Sequence, residues 1–301
     1  MVATIIGTSR CRPAVRNKVV ILVFGKTGQV ATELQRFGDI IALDRSDVEL
    51  SNPLACYDAI RHYAPKAVIN AAAYTAVDKA ENEEAFATVI NGDAPTEMAK
   101  ACLELGIPFV HISTDYVFGG SGDSPCKPDH PTFPNNAYGR SKLAGESGIR
   151  ASGAVHAILR TSWVVSAHGT NFIKTMLHLS ETRDKLSVVV DQIGGPTPAR
   201  DIASACLHIA KQLLQDPSKS GTYHFSGAPD VSWALLSKEI FVQAGKSVTV
   251  TPILTADYPT LAPRPLNSRM DCSDTVQAFG ILRPDWRDGL SAILTELEVI
   301  S

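Results

Sequence analysis

Few features of this sequence suggest a secreted, membrane-bound or nucleic-acid-binding protein. Its six cysteines stand singly among 301 residues, with no Cys-x-x-Cys pair and no metal-ligand spacing. Scattered cysteines indicate reduced thiols, so we expect a cytoplasmic protein. The formal net charge of −3 provides no basic field for nucleic acid or an anionic membrane. The longest apolar runs have the length of a strand, far short of the ~20 residues that span a bilayer.

What the sequence does contain is an alternation of strand-like and helix-like segments. Short apolar runs at 18–24, Ile40–Leu43 and Ala67–Asn70 alternate with helical patterns such as Ala94–Leu105 and about 198–214. This alternation predicts an α/β fold, a Rossmann-type doubly wound parallel sheet with a smaller C-terminal α/β substrate domain. The hydrophobic fraction of 45% fits a globular chain that buries a full core.

The predicted domains are not continuous in the chain. We expect a dinucleotide-binding domain at 18–165 plus about 196–226, and a substrate domain at about 166–195 plus 227–301. Residues 1–17 carry three arginines and no acid, as transit peptides do, but they are few and weakly amphipathic. We therefore expect a disordered extension, or a start site placed upstream of Lys18.

A glycine-rich turn follows the first predicted strand. The segment 25–31 reads Gly-Lys-Thr-Gly-Gln-Val-Ala and leads into a helical pattern. Glycines permit the tight turn and let backbone N–H groups approach a pyrophosphate at the helix N-terminus. The next strand ends in Asp44 and Arg45. A carboxylate at this interval favours NADH, by binding the adenosine ribose, whereas the arginine could receive the 2′-phosphate of NADPH. Both cofactors stay possible.

Tyr138 and Lys142 stand four residues apart in a predicted helix and so lie on one face. A free tyrosine, with a pKa of about 10, is a poor proton donor at neutral pH. We expect the adjacent ammonium to lower the pKa of Tyr138 toward the range of efficient acid–base catalysis. A hydroxyl of Ser113 or Thr114 could hydrogen-bond the carbonyl that Tyr138 protonates. By itself the spacing also fits a solvated helix face. Four histidines show no cluster spacing and are assigned no chemistry: His111, His130, His168 and His224.

Five segments carry a further pattern. They are FGKTGQV at 24–30, NAAAYTAVD at 70–78, STDYVF at 113–118, YGRSKLAGE at 138–146 and RTSW at 160–163. Together they resemble the dTDP-4-dehydrorhamnose reductase family of the extended short-chain dehydrogenase/reductase superfamily. The likeness runs from about Lys18 to about Leu297. The glycine turn, RTSW and the segment RPLNSR at 264–269 are more specific to the family than the shared superfamily motifs.

The resemblance implies a role for each matching residue. The catalytic residues would be Tyr138, Lys142 and Thr114. The cofactor would contact Gly25, Lys26, Thr27, Gly28, Gln29, Val30, Asp44, Arg45, Glu49, Leu50, Ala72, Ala73, Tyr74, Thr75, Asn91, Tyr138 and Lys142. The nucleotide-sugar substrate would contact Thr114, Asp115, Trp163, Asn171, Arg264, Asn267 and Arg269. Arginine suits this task because its planar fork matches the oxygens of a diphosphate.

The reaction that the resemblance implies is hydride transfer from NADPH or NADH to the C4 ketone of dTDP-4-dehydro-L-rhamnose. A related 4,6-dehydratase would need a glutamate after Asp115, where this chain has Tyr116. A nucleotide-sugar epimerase stays open, as does a non-catalytic subunit like the regulatory subunit of methionine adenosyltransferase. We expect a monomer or homodimer that binds a small molecule and neither nucleic acid nor membrane.

A metal ion is a feature of some members of the family, which dimerise through Mg²⁺ held by glutamates. Glu33 and Glu296 match two of those positions, but Arg200 stands where another acid is expected. A cation at that place repels a metal and could pair with a carboxylate directly. We therefore expect no structural metal.

Overall fold

The computed structural model describes residues 21–38 and 40–300. Its strands are β1 Ile21–Phe24, β2 Ile40–Leu43, β3 Ala67–Asn70, β4 Phe109–Thr114, β5 His156–Thr161, β6 Val164–Val165, β7 Lys185–Val189, β8 Ile193–Gly194, β9 Thr197–Pro198, β10 Gly221–His224, β11 Val231–Ser232, β12 Thr249–Ile253 and β13 Asn267–Ser268. Its α-helices are α1 Gln29–Arg36, α2 Pro53–Tyr63, α3 Val77–Ala80, α4 Glu84–Thr88, α5 Ala94–Leu105, α6 Ala137–Ser152, α7 Phe172–Ser180, α8 Ala199–Gln215, α9 Trp233–Gln243, α10 Ser273–Phe279 and α11 Trp286–Glu296. The extension predicted at residues 1–17 lies outside the described residues.

Six parallel strands form the central sheet, in the order β2-β1-β3-β4-β5-β10. Because β1 lies between β2 and β3, the chain winds outward from it in both directions. This arrangement confirms the predicted doubly wound α/β fold. The carboxyl ends of β1 and β3 lie side by side, with Phe24 paired to Asn70. Folds of this class bind their ligands in the crevice at such a point.

The side chains of β1 show why helices cover both faces of the sheet. Ile21 and Val23 point into the core beneath α1 and α8, whereas Leu22 and Phe24 point into the core beneath α2 and α5. All four are buried. A strand covered on both faces must be apolar at every position, as the run at 18–24 predicts.

A third hydrophobic core lies in the C-terminal part of the chain. It gathers side chains of α7, α9 and α11 around the parallel pair β7 and β12. The short strands β8, β11 and β13 form a separate sheet, in which Asn267 lies alongside Ile193. The predicted boundaries between two domains stay a prediction.

The helical pattern of residues 83–90 also predicts a helix, which in the structure is α-helical only as far as Thr88. α4 ends at Thr88, and a π-helix, Val89–Asp93, leads directly into α5. A π-helix accommodates an extra residue in the helical path and is frequent at functional sites. Here it buries Asn91 completely. Apolar periodicity could not reveal it, because the residues on either side still follow a helical pattern.

The sequence pattern also does not predict α7, α10, α11 or β12. Two of these helices begin with a capping side chain that could have marked them. The Asn171 carboxamide accepts the backbone N–H of Lys174, and the Asp285 carboxylate accepts that of Arg287. Among the described residues, no helix has the length and apolar character needed to cross a membrane.

Candidate active site

Gly25 shapes the turn between β1 and α1. Its φ of +111° belongs to a backbone conformation that L side chains rarely adopt. A Cβ atom there would lie 3.3 Å from atoms of Ala31, Ala71 and Ala72. Gly28 precedes the first residue of α1, and none of the described side chains caps this helix. Its first backbone N–H groups are therefore available to a phosphate, and the predicted turn fits a dinucleotide pyrophosphate.

Asp44 follows β2 beside this turn. The backbone N–H of Ser46 donates to its Oδ1 at 2.8 Å, and Lys26 Nζ lies 3.1 Å from its Oδ2. Hydrogen bonds from Ser46 and then Lys26 hold the pKa of Asp44 well below its usual range. The ionised carboxylate suits a ribose hydroxyl donor. The neighbouring Arg45 is exposed, and residues 49–50 follow in the loop before α2. NADH and NADPH both stay possible.

Asn91 ties the loop after β3, residues 72–75, to helix α6. Its Oδ1 accepts the Tyr74 N–H at 2.8 Å, and its Nδ2 donates to Tyr74 O and to Ser141 Oγ, both at 3.0 Å. Ser141 is the neighbour of Lys142 on α6. The π-helix therefore links a predicted cofactor loop to the predicted catalytic helix.

Glycines let α6 pack against the ends of the strands. Asn136 caps the helix by accepting the Gly139 N–H at 2.8 Å. A Cβ on Gly139 would lie only 2.2 Å from Tyr116 O, and Gly145 makes a similarly close approach to the π-helix. The Tyr138 ring consequently lies edge-on to that of Tyr116, with centroids 5.5 Å apart.

Tyr138 lies beside the end of β4, and its phenol is protonated. Burial raises the pKa of Tyr138 to about 12, the Thr114 hydroxyl opposes this rise and the Asp115 carboxyl adds to it. The expectation that Lys142 lowers this pKa is wrong for this structure. A neutral phenol at this place has a proton to donate to a developing alkoxide.

Lys142 is turned toward the sheet. Its Nζ donates to Ile112 O at 2.7 Å and lies 3.0 Å from His111 Nε2. Burial lowers the pKa of Lys142 to about 8, against an opposing effect of Glu146. Sequence reasoning missed His111. Its position two residues before Ser113, on the β4 face that α6 covers, was the available signal.

The end of β4 supplies a hydroxyl and a carboxyl next to Tyr138. Thr114 Oγ1 donates to Asp115 Oδ1 at 3.1 Å and accepts the Tyr116 N–H at 3.2 Å. Burial raises the pKa of Asp115 to about 6. Its Oδ2 has no hydrogen-bond partner among the described residues. The structure thus brings Thr114, Asp115 and Tyr138 together as predicted.

Trp163 lies where β5 gives way to β6. Its φ of +48° is unusual for a residue with a side chain. Its indole stacks on that of Trp233, with centroids 3.5 Å apart and planes 9° from parallel. Trp233 is fixed in turn, because its Nε1 donates to Gln192 Oε1 at 3.1 Å. The two rings form a rigid apolar surface.

The loop at 264–269 follows Pro263, whose backbone carbonyl accepts a hydrogen bond from Asn136 Nδ2. The loop therefore lies against the start of α6. Arg264 Nη2 lies 2.6 Å from Asp78 Oδ2. Arg269 Nη1 donates to the neutral Asn267 Oδ1 at 3.0 Å. Among the described residues the two guanidinium groups have one carboxylate partner between them, Asp78, so positive charge is left for an anion.

Asn171, another predicted substrate residue, lies between the start of α7 and the start of α1. Its Nδ2 donates to Ser166 O at 2.7 Å and to Gln29 Oε1 at 3.1 Å, while its Oδ1 caps α7. Asn171 therefore joins α7 to the first residue of α1. These contacts give it a structural role in addition to the predicted one.

Glu33, His168 and Glu296 bring three ligand-type atoms within 4.8 Å of one another. His168 Nε2 lies 2.9 Å from Glu33 Oε1, and the Arg36 guanidinium pairs with both carboxylates. Mg²⁺ prefers an all-oxygen shell, so this set with an imidazole and a guanidinium does not fit it. Arg36 lowers the pKa of Glu296 most, and Arg200 contributes from farther away.

Comparison with known proteins agrees with the motifs. The family model described as "RmlD substrate binding domain" matches residues 19–299. The dTDP-4-dehydrorhamnose reductases of Sinorhizobium fredii and Escherichia coli K12 are 40% and 41% identical over 287 and 291 residues. These alignments cover 92% of this chain and 97% of each relative. The chain belongs to the dTDP-4-dehydrorhamnose reductase family.

Solved structures of dTDP-4-dehydrorhamnose reductases share the architecture. That from Clostridium acetobutylicum superposes with a TM-score of 0.87 at 34% identity, covering 93% of this chain and 99% of that one. That from Bacillus anthracis Ames, in complex with NADP, gives 0.86 at 34% identity with the same coverage. Both the fold and the predicted family are thereby confirmed over nearly the whole chain.

Proposed function

We propose that this chain reduces the C4 ketone of dTDP-4-dehydro-L-rhamnose to dTDP-L-rhamnose at the expense of NADPH or NADH. The observation that carries the proposal is the grouping of the buried Thr114 and Asp115 with the partly buried Tyr138 at the carboxyl edge of the sheet, the same edge at which the glycine turn follows β1. About 40% identity to reductases of this activity across 92% of the chain supports it. We place the reaction in the cytoplasm, in keeping with the scattered thiols.

The chain has the groups that bind a dinucleotide. The uncapped start of α1 would receive the pyrophosphate, and the Asp44 carboxylate or Arg45 the adenosine ribose end. When bound, the nicotinamide supplies the hydride. Residues 18–165 with about 196–226 would form the domain for this cofactor, and the remaining part the domain for the sugar nucleotide.

Tyr138 acts as the general acid. Its phenol donates a proton to the oxygen of the ketone as negative charge develops there, and the Thr114 hydroxyl donates a hydrogen bond to the same oxygen. Tyr138 is left as a phenolate that must regain a proton before the next turnover. Lys142 would bind the nicotinamide ribose, and Asp115 shapes the site beside them.

The substrate's diphosphate would be held by Arg264 and Arg269. Arg264 must share its charge with Asp78, so Arg269, paired to a neutral amide, has the greater share to offer. The stacked Trp163 and Trp233 would pack against the sugar ring. Apolar ring faces suit the C–H faces of a sugar, as they do other flat apolar surfaces.

The test is oxidation of NADPH or NADH by the purified chain in the presence of dTDP-4-dehydro-L-rhamnose. We expect stoichiometric loss of the near-ultraviolet absorbance of the reduced nicotinamide. Tyr138→Phe should lower kcat by at least about 10²-fold while cofactor still binds. Tyr63→Phe, at an exposed position on α2, is the matched control and should leave turnover unchanged.

Two alternatives give other outcomes in the same experiment. An epimerase would convert the sugar without net consumption of the reduced cofactor. A non-catalytic subunit would bind the cofactor and leave both substrates unchanged. Retained reductase activity in Tyr138→Phe would overturn the role of this tyrosine.

A further inference from the structure

The geometry points to Gln192 as a positioning residue for Trp163, acting through the indole of Trp233. This inference rests on the proposed function for its bearing on catalysis. Gln192 is buried in the loop between β7 and β8 and is absent from the residues that the sequence predicts for the site. It is the middle member of a chain of hydrogen bonds that begins at the carboxylate of Asp191 and ends at the stacked tryptophans.

Trp163 lies at the carboxyl edge of the sheet, beside the strand end that carries the reacting groups. Thr161, two residues before it, pairs with Thr114 in the register of β5 and β4. The backbone of Gly194 packs against the indole of Trp163, since a Cβ there would lie 2.9 Å from Trp163 Cε2 and equally close to Ser268 Cβ. Ser268 belongs to the loop that would hold the substrate's diphosphate. A shift of the Trp163 ring would therefore change the surface between these two parts of the site.

The ring of Trp163 is held by its neighbours and not by its own backbone preference. Its φ of +48° is a conformation that bulky residues avoid and that persists only where the surroundings determine it. Those surroundings are the Trp233 ring, stacked with centroids 3.5 Å apart, and the backbone at Gly194. The orientation of Trp163 therefore depends on that of Trp233.

The direction of each hydrogen bond in the chain is fixed by its two ends. An indole N–H can only donate, so Gln192 Oε1 must face Trp233 Nε1, 3.1 Å away. Gln192 Nε2 then donates to Thr255 Oγ1 at 3.1 Å. The Thr255 hydroxyl donates its own proton to Asp191 Oδ1 at 2.7 Å, and an ionised carboxylate can only accept. Exchanging the oxygen and nitrogen of Gln192 would set donor against donor at Trp233, so the carboxamide has a single orientation.

Asp191 anchors the chain to the C-terminal core. Its Oδ1 and Oδ2 also accept the backbone N–H of Thr255, at 2.9 and 3.1 Å. Against an opposing effect of burial, hydrogen bonds from Thr255 lower the pKa of Asp191, so the acceptor is ionised at neutral pH. Asp191 follows β7 and Thr255 follows β12, and these two strands pair within that core. The chain therefore fixes the Trp233 ring relative to the strands and not only to one loop.

Gln192→Leu is the substitution that tests the chain. Leucine is close to glutamine in shape but provides no acceptor for the Trp233 N–H and no donor for Thr255. We expect the Trp233 ring to lose its fixed orientation and its stack with Trp163 to loosen. KM for the sugar nucleotide should rise about tenfold, as expected for leaving a shielded donor unpaired. The Kd of the reduced cofactor should stay unchanged.

Thr255 offers a second and milder pair of variants. Thr255→Val keeps the shape and removes the hydroxyl, so KM should rise by less than in Gln192→Leu, because Gln192 keeps its bond to Trp233. Thr255→Ser retains the hydroxyl and should behave as the unmodified protein. Gln243→Leu is the matched control, since it removes a glutamine side chain at the end of α9 that lies away from Trp233. It should leave KM unchanged.

The first measurement is the ¹H–¹⁵N NMR spectrum of the indole groups of the full chain. Three tryptophans give three signals, assigned by replacing each with phenylalanine. In the unmodified protein the Trp163 signal should be shifted upfield by the ring of Trp233, and the Trp233 N–H should exchange slowly with D2O. Gln192→Leu should reduce both effects, and Gln243→Leu neither. A rapidly exchanging Trp233 N–H in the unmodified protein would overturn the inference, and this result needs no variant to fold.

The second measurement is the steady-state kinetics of Gln192→Leu. A merely structural defect reduces the fraction of active protein, which lowers kcat and leaves KM in place, whereas a displaced Trp163 raises KM. An unchanged KM would reject the positioning role of Gln192, whatever the indole signals do. Absence of reductase activity in the unmodified protein would instead reject the proposed function, and the NMR result would still stand.

Discussion

Arg160 makes a two-point ion pair with Glu146 in the interior of the molecule. Its Nε lies 2.8 Å from Oε1 and its Nη2 lies 2.7 Å from Oε2. The two side chains are 2% and 0% exposed. Ser113 donates to the same carboxylate at 2.6 Å. Because these residues belong to β5, α6 and β4, the pair fixes the helix that carries Tyr138 against two strands that end at the candidate site.

Glu146→Gln should destabilise the fold strongly, since it leaves the Arg160 charge buried without its counterion. We expect a loss of about 3–5 kcal/mol in the free energy of unfolding, measured in urea. Arg140 and Glu84 form a pair of the same geometry on the surface, with both contacts at 2.7 Å. Glu84→Gln should cost less than about 1 kcal/mol. Equal losses in the two variants would contradict the argument from burial.

Gly25 and Gly28 should respond differently to alanine. Gly25→Ala places a side chain at φ +111° with contacts at 3.3 Å, and should lower the free energy of unfolding by about 1–3 kcal/mol. A Cβ on Gly28 meets no atom of the described residues within 4 Å, so Gly28→Ala should fold almost normally. Its added methyl group should still weaken cofactor binding at the start of α1. Thermal unfolding and cofactor titration by fluorescence separate the two effects.

Asp44→Asn should shift the choice of cofactor toward NADPH. The substitution removes a negative charge that suits a ribose hydroxyl and repels a 2′-phosphate. We expect the ratio of kcat/KM for NADPH to that for NADH to rise about tenfold, equivalent to about 1.4 kcal/mol. Asp58→Asn, at an exposed position on α2, is the control. An unchanged ratio would show that Asp44 does not contact the ribose.

Stability should fall as the pH is lowered through the range in which His224 titrates when unfolded. Burial, and then the Arg160 charge, lower the pKa of His224 to about 3, against about 6.5 in an unfolded chain. Between these values the unfolded state binds a proton that the folded state does not. The free energy of unfolding should therefore drop by about 1.4 kcal/mol per pH unit from this residue. His224→Asn keeps a donor for Cys126 O and should reduce that slope; an identical slope would contradict the assignment.

The central sheet and its motifs could be predicted from the sequence because each depends on local pattern. The run before Gly25 had to be a buried strand, and Tyr138 and Lys142 had to share a helix face. The hydrogen-bond partners of Lys142, His111 and Ile112, could not be predicted in this way. These contacts depend on the distance between α6 and β4. That distance is set by glycines of α6 that pack closely against segments distant in sequence. The raised pKa of Tyr138 could not be predicted for the same reason. Its largest cause is burial, which depends on the packing of α6 and not on the residues at helical spacing from Tyr138.

Because of the π-helix at Val89–Asp93, the geometry of the site depends on the number of residues in this stretch as well as on their identity. A π-helix accommodates one residue more than an α-helix over the same path, so deleting one residue here would restore regular α winding and remove the widened turn between α4 and α5. Asn91 would then turn away from Tyr74 and Ser141 even if every remaining amino acid were kept. A single-residue deletion in this stretch would consequently be as damaging as the loss of a named side chain.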